Sequence, residues 1–238
     1  MTDHATVHSE AIGAVRLRIV IDPEPSNPRT DFDNLATMAC WHRRYRLGDA
    51  DGPARLRDAV RASGPRRSRR SDDLENPATL AQALAGCQDI VWLPLYLYDH
   101  SGITMSTACS YPFNDRWDAG QVGFVFMTRG QILATLAPPG ARRLTPALRA
   151  AAAALMRSEV ETYDQYLTGN VFGYVVESET GEHLDSCWGY FGETHCLEEG
   201  RAVAASLAAE WAIRQRLALA DEFETSRPDM YGAALPNG

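Results

Sequence analysis

The chain contains no lysine: all 23 of its basic side chains are arginine. That absence removes every mechanism that needs a lysine amine. Schiff-base chemistry of the PLP type is excluded, and so is the phosphate-cradling lysine of Walker-type NTPases. Cysteine is sparse. The five cysteines stand at positions 40, 87, 109, 187 and 196, an odd number with no CxxC pair. This is not a disulfide scaffold, and reduced thiols in a cytosol are the expectation. No apolar run approaches the ~18 residues that a membrane-spanning helix needs. Residues 1–14 are polar and lack the apolar core of a signal peptide. Together these absences lead us to expect a cytoplasmic protein with no membrane partner.

What is present is the composition of an ordinary globular protein: 238 residues, 45% hydrophobic, formal net charge −8. The negative balance does not favour direct nucleic-acid binding and suits solubility or a basic partner. Residues 144–190 organise the chain. Thr145 is placed to N-cap a helix and Pro146 to take its first position. Leu144, Leu148, Ala152, Leu155, Val160, Tyr163 and Leu167 recur at helical spacing, and Gly169 supplies the stop. A β-hairpin follows, with strands predicted over 171–177 and 183–190 and a turn containing Gly181. A second long helix is predicted over 194–221, striped by Leu197, Ala204, Leu207, Trp211 and Ala218.

Upstream, Val15, Leu17, Ile19 and Ile21 alternate with Arg16 and Arg18, the pattern of a half-buried strand. The loop 22–29 is rich in proline. Leu35, Met38, Trp41 and Tyr45 suggest a short helix with Asp33 near its start. Residues 55–62 read as a helix, and residues 64–71 form a basic run, either a solvated loop or a contact for phosphate or an acidic partner. Asn76-Pro77 is placed to cap a further helix running to about Leu84. Residues 89–98 form the most apolar stretch, a buried strand in which Pro94 demands a bulge or an edge. A return strand at 103–108, a strand at 122–128 and a helical fragment at 131–136 follow. Strands cluster rather than alternate with helices. We therefore expect an α+β fold, a mainly antiparallel sheet with two long helices packed on one face of it. The expected domain is residues 15–221, with a flexible arm at 1–14 and a loosely ordered tail at 222–238.

Several residues have the chemistry of a site. Asp99-His100-Ser101-Gly102 lies where a buried strand gives way to a turn. Strand alternation puts His183, Asp185 and Cys187 on one face and Leu184, Trp188 and Tyr190 on the other. Cys40 and His42 resemble half of a zinc site, to be completed by His100, Cys109 or Cys187. Glu161 and Asp164 share a helix face and, with the carboxylates of the loop 114–118, suit a divalent cation. Core packing, solvation, turn formation and helix-surface pairing are the plainer explanations of each of these. Partly exposed tryptophans such as Trp117 are the alternative kind of feature, anchors at a protein interface.

The strings Asp33-Asn-Leu-Ala-Thr-Met38, Cys40-Trp-His-Arg-Arg-Tyr-Arg-Leu-Gly-Asp49 and Leu93-Pro-Leu-Tyr-Leu-Tyr-Asp-His-Ser-Gly-Ile-Thr-Met105 carry a resemblance, together with Trp117-Asp-Ala-Gly-Gln-Val-Gly123, Glu161-Thr-Tyr-Asp-Gln-Tyr-Leu-Thr-Gly169 and Asp185-Ser-Cys-Trp-Gly189. Over roughly residues 16–192 the chain resembles a family of largely uncharacterised proteins carried by bacteriophages, prophages and plasmids. The resemblance implies a mobile-element context in a host cytoplasm and supplies no catalytic residue or cofactor. It leads to the expectation of an accessory protein that binds a host protein or protein–nucleic-acid complex and inhibits a nucleic-acid-targeting defence system of the CRISPR or restriction kind. Glu159, Glu161, Asp164 and Trp117 are its expected binding residues, the carboxylates competing for a basic groove. The alternative is a hydrolase or metal-dependent enzyme in which His42, Asp99, His100, Asp118 and Cys187 converge. The two long helices also suit a homodimer.

Overall fold

A computed structural model describes residues 5–63, 74, 77–110, 112–115 and 117–225. The basic run at 64–71, Asn76 and the tail from 226 lie outside the described residues. In chain order the elements are β1 (Thr6–Ile12), β2 (Val15–Ile21), α1 (Pro28–Asp31), β3 (Thr37–Cys40), α2 (Gly52–Ser63) and α3 (Pro77–Ala85). Then come β4 (Ile90–Asp99), β5 (Ile103–Ser106), β6 (Ala119–Thr128), α4 (Arg129–Thr135), α5 (Pro146–Leu167), β7 (Val171–Ser178), β8 (His183–Phe191) and α6 (Glu193–Thr225). The fold is α+β, and every strand pairing is antiparallel. The strands form two four-stranded sheets, ordered β1-β2-β7-β8 and β3-β6-β4-β5, where a single sheet was expected. Each sheet carries one of the two long helices.

The chain divides into two compact units, residues Met1–Pro23 with Val171–Gly238, and residues Glu24–Asn170. The first unit is therefore interrupted by the second. In the first, α6 lays Cys196 and Ala204, with Leu197 and Leu207 beside them, over Val15, Leu17, Ile19, Phe172, Tyr174 and Val176. The outer face of β2 holds Arg18, whose Nε and Nη2 donate to the two carboxylate oxygens of Glu177 at 3.2 and 2.8 Å. β2 and β7 are neighbours, and the Asp22 N–H donates to the Val171 carbonyl at 2.9 Å.

Thr6–Ile12 of the predicted arm form a strand: β1 pairs with β2 through a turn at Gly13. It reads as loose because an edge strand with one half-exposed face needs few apolar residues. The alternation predicted for β8 is also corrected. Two register shifts change its phase, so Leu184 and Tyr190 join the core. Trp188 instead lies against Gly173, where an added Cβ would meet its indole ring at 2.4 Å.

The inserted unit is a sheet covered on both faces, which corrects the expectation of helices on one face. β6 shows why. Val125 and Met127 pack with Met38, Leu95 and Leu97 under Ala152, Met156, Val160 and Tyr163 of α5. Phe124 and Phe126 pack with Ala39 and Ile90 under Leu56, Val60, Leu80 and Leu84 of α2 and α3. A strand buried on both sides has no polar face, so β6 is apolar almost throughout. Pro94 pairs with Phe124 on its β6 side, and β5 reaches only from Tyr96 to Asp99. The missing N–H therefore falls where β4 is an edge, one residue before a register shift.

The helix predicted around Leu35, Met38 and Trp41 is absent. α1 ends at Asp31, and β3 takes Met38 and Ala39 into the cores on opposite faces of the sheet. Four residues recurring near a helical period were outweighed by pairing with the central strand β6. α5 begins as predicted, with the Thr145 hydroxyl accepting from the Leu148 N–H at 3.2 Å.

Candidate functional site

The site of greatest chemical interest grows from residues 40–50, the stretch that leaves β3. The Trp41 N–H donates to the Val122 carbonyl at 2.7 Å, which continues the β3–β6 ladder by one bond. The chain then turns on a side chain: His42 Nδ1 accepts from the backbone N–H groups of Arg44 and Tyr45 at 3.3 and 3.1 Å. The imidazole stacks on the Tyr45 ring, with centroids 4.9 Å apart and planes 8° apart. The turn closes at Gly48, whose φ of +67° belongs to the left-handed region. A Cβ there would also lie 2.8 Å from the Met38 carbonyl oxygen and 3.1 Å from Cys40 Sγ.

Asp49 returns the segment to the sheet. Its Oδ2 accepts from the Met38 N–H at 3.0 Å and its carboxylate takes a bidentate contact from Arg29, Nε at 2.8 Å and Nη2 at 2.9 Å. Nη1 of Arg29 donates to Glu159 at 2.9 Å, and Nη2 also donates to the Ala36 carbonyl at 2.9 Å. The Arg29 side chain is 1% exposed, so one buried guanidinium joins α1, the β3 approach, the 40–50 segment and α5. In the sequence Arg29 stands at the end of a proline-rich loop. Nothing local in the sequence marks it, because its partners stand 20 and 130 positions away.

This arrangement changes the role of the expected acidic face. Glu159 turns inward: besides Arg29 it accepts from the Leu35 and Ala36 N–H groups at 2.9 and 3.1 Å. Asp164 is likewise committed, its Oδ1 accepting from Thr104 Oγ1 and the Met105 N–H, both at 2.6 Å. Only Glu161 is exposed. Two of the three carboxylates hold chain segments together, so they do not form a charged docking face.

Two cavities flank the 40–50 segment and share Trp41, His42 and Arg43 as a wall. The larger, about 870 Å³, is lined by Asn27, Cys40, Tyr45, Arg46 and Tyr163 among others. Cys40 is a poor nucleophile there. Loss of hydration, reinforced by the Asp49 carboxylate, pushes its thiol up to about 12.

The smaller cavity, about 460 Å³, gathers His42, Asp99, Trp117 and Asp118 with Arg44 and Gln121. Asp99 accepts from the Tyr45 hydroxyl at 3.2 Å and from Arg44. His100 Nδ1 lies 3.0 Å from Asp118 Oδ2, and the Asp99 N–H donates to the Asp118 carbonyl at 2.8 Å. Asp115 caps the neighbouring turn, its Oδ1 accepting from the Trp117 N–H at 2.7 Å and from the Asp118 N–H at 3.3 Å. That turn presents the Trp117 side chain to solvent at 93% exposure.

Four of the five residues named for catalysis are thus brought together, three of them lining one cavity and His100 joined to it through Asp118. The fifth, Cys187 on β8, belongs to the other unit, in register with Tyr174 of β7. His183 pairs there with Ser186 at 3.1 Å and Asp185 accepts from the Ser186 N–H at 2.8 Å, so the expected His–Asp–Cys face forms no relay. Within the cleft, the lone pair of His42 Nδ1 is committed to the turn, which places its proton on Nε2. Among the described residues no hydroxyl or thiol hydrogen-bonds to the His42 or His100 ring, and no group of three or more His, Cys, Asp and Glu side chains is placed to hold a metal ion. The cleft can offer an exposed indole, a guanidinium and hydrogen-bonding carboxylates to a partner. Comparison with protein-family models, with curated proteins and with solved structures finds no match.

Proposed function

We propose that the protein is an accessory binding protein of mobile-element type, which uses the cleft around Trp117 to engage a host protein or protein–nucleic-acid complex and so inhibits a nucleic-acid-targeting defence system. The observation that carries the binding reading is Trp117 itself: a large aromatic side chain at 93% exposure, held on a capped turn beside a concave, polar cavity. Tryptophan is among the residue types enriched at interface hot spots, where it fills a desolvated pocket of the partner. The surrounding ionisable groups favour recognition over reaction, because Asp99 is bound to Arg44 and Tyr45, and Asp118 to His100. The host-facing context comes from the sequence resemblance.

The test is affinity capture from host lysate with the tagged full chain and its Trp117→Ala variant in parallel. One stoichiometric host partner retained by the wild type and lost by the variant is the expected result. A hydrolase remains the second reading, favoured by the His100–Asp118 pair at 3.0 Å. Capture of nothing, together with hydrolytic turnover that His100→Ala abolishes, would replace the first reading with the second.

A further inference from the structure

The larger cavity shares Trp41, His42 and Arg43 with the Trp117 cleft, and the rest of its lining has a different chemistry. Its volume, about 870 Å³, lies within the range of sites that enclose most of a small molecule. Aromatic residues line it, Trp41, Tyr45 and Tyr163, with the Tyr45 ring already stacked on His42 and the buried Tyr163 ring on Tyr166. Two guanidinium groups, Arg43 and Arg46, also line it, and among the described residues neither has a carboxylate partner. The one carboxylate in the lining, Asp49, is held by Arg29, which it shares with Glu159. In a chain of net charge −8 the cavity is therefore locally cationic. Donors are also available. Asn27 Oδ1 accepts from the Arg29 N–H, which leaves the amide NH₂ of Asn27 free to donate. The Tyr163 hydroxyl accepts from the Gly48 N–H at 3.2 Å, which leaves its own proton for a ligand.

We propose that this cavity binds a nucleotide, with the phosphate held by Arg43 and Arg46 and the base stacked on Trp41. Guanidinium forks match phosphate oxygens in pairs, and aromatic faces accept any base. A free inorganic anion leaves the aromatic lining unused, and a nucleoside leaves the two arginines unused. The site shares Trp41, His42 and Arg43 with the proposed host interface, but Arg46 lines only the larger cavity and Trp117 only the smaller, so variants at these two positions separate them.

The experiment is calorimetric titration of the full chain with adenosine and guanosine 5′-monophosphates, the matching nucleosides and inorganic phosphate, with tryptophan fluorescence as a second readout. At least one nucleotide is expected to bind and to quench fluorescence, with nucleoside and phosphate each weaker by about tenfold or more. Arg46→Ala is expected to weaken nucleotide binding by about tenfold while leaving nucleoside affinity nearly unchanged. Arg46→Lys should recover part of the loss, and Trp117→Ala should leave nucleotide binding intact. The proposal is overturned if neither nucleotide binds at millimolar concentration, if phosphate alone binds as tightly as the nucleotide, or if a folded Arg46→Ala variant binds as the wild type does. Loss of host capture by Trp117→Ala is read separately and bears only on the interface.

Discussion

The inserted unit contains two clusters of the same residue types that behave in opposite ways. Around Arg29, one guanidinium and the carboxylates of Asp49 and Glu159 are enclosed, and the guanidinium nitrogens and the carboxylates are all engaged. Around Arg44, a guanidinium, Asp99, His100 and Asp118 sit on the surface, with Arg44 and His100 more than half exposed. The difference is water. A buried ion pair loses hydration that only a complete set of partners offsets, so such a cluster is rigid and intolerant of deletion. An exposed pair loses little and contributes little, so it can re-form around a partner. Charge composition alone does not separate a structural knot from an exposed, rearrangeable cluster.

Breaking the buried cluster should have the largest effect. Arg29→Ala strands two carboxylates and is expected to cost about 3–5 kcal/mol in urea unfolding, against under ~1 kcal/mol for Arg44→Ala. Equal losses for the two variants would overturn the distinction. Next, Asp164→Ala removes the acceptor of Thr104 Oγ1 and the Met105 N–H, and should cost about 1–3 kcal/mol by the same measurement. Third, the Cys40 thiol sharpens the contrast through pH. Its folded value is raised from 9.0 to about 12, so the unfolded chain ionises first as pH rises. The stabilisation is complete below pH 9 and is lost between there and about 12. Cys40→Ala should flatten that alkaline decline, and iodoacetamide at pH 8 should label the exposed Cys109 and Cys187 well before Cys40, as read by peptide mass spectrometry. The smallest effect belongs to Trp117→Ala, within about 0.5 kcal/mol of wild-type stability, because the side chain leaves no cavity behind.

Much of the architecture was legible in the sequence wherever local signals and tertiary packing agree. The Thr145-Pro146 start of α5, the Gly169 stop, the β7–β8 hairpin and the edge position of Pro94 are all local statements about caps, φ and missing donors. The errors have a common cause. β1 read as an arm, β3 read as a helix, and the two sheets read as one, because each depends on which distant strand lies alongside. The site divides the same way. Asp99-His100 at a strand end and the loop around Trp117 and Asp118 stand out as turn chemistry. Arg29, Arg44 and Tyr45 do not, since their roles are fixed by partners 20 to 130 positions away. Glu159 and Asp164 were misjudged because a helix-face pattern cannot tell whether a carboxylate meets solvent or backbone N–H groups.

The hydrogen-bonded pair β2–β7 has a topological consequence. Remove residues 24–170 on paper and the order β1-β2-β7-β8 becomes an up-and-down meander, each strand joined to its neighbour. The second unit thus occupies the position of a hairpin loop, inserted where a turn of a few residues would serve. Ile21 and Phe172 are register partners although about 150 positions separate them. A disordered loop of that length closes at an entropic cost that grows only logarithmically, yet it must close before β7 can pair. An inserted unit whose two ends lie together removes that delay for the sheet that it interrupts in sequence.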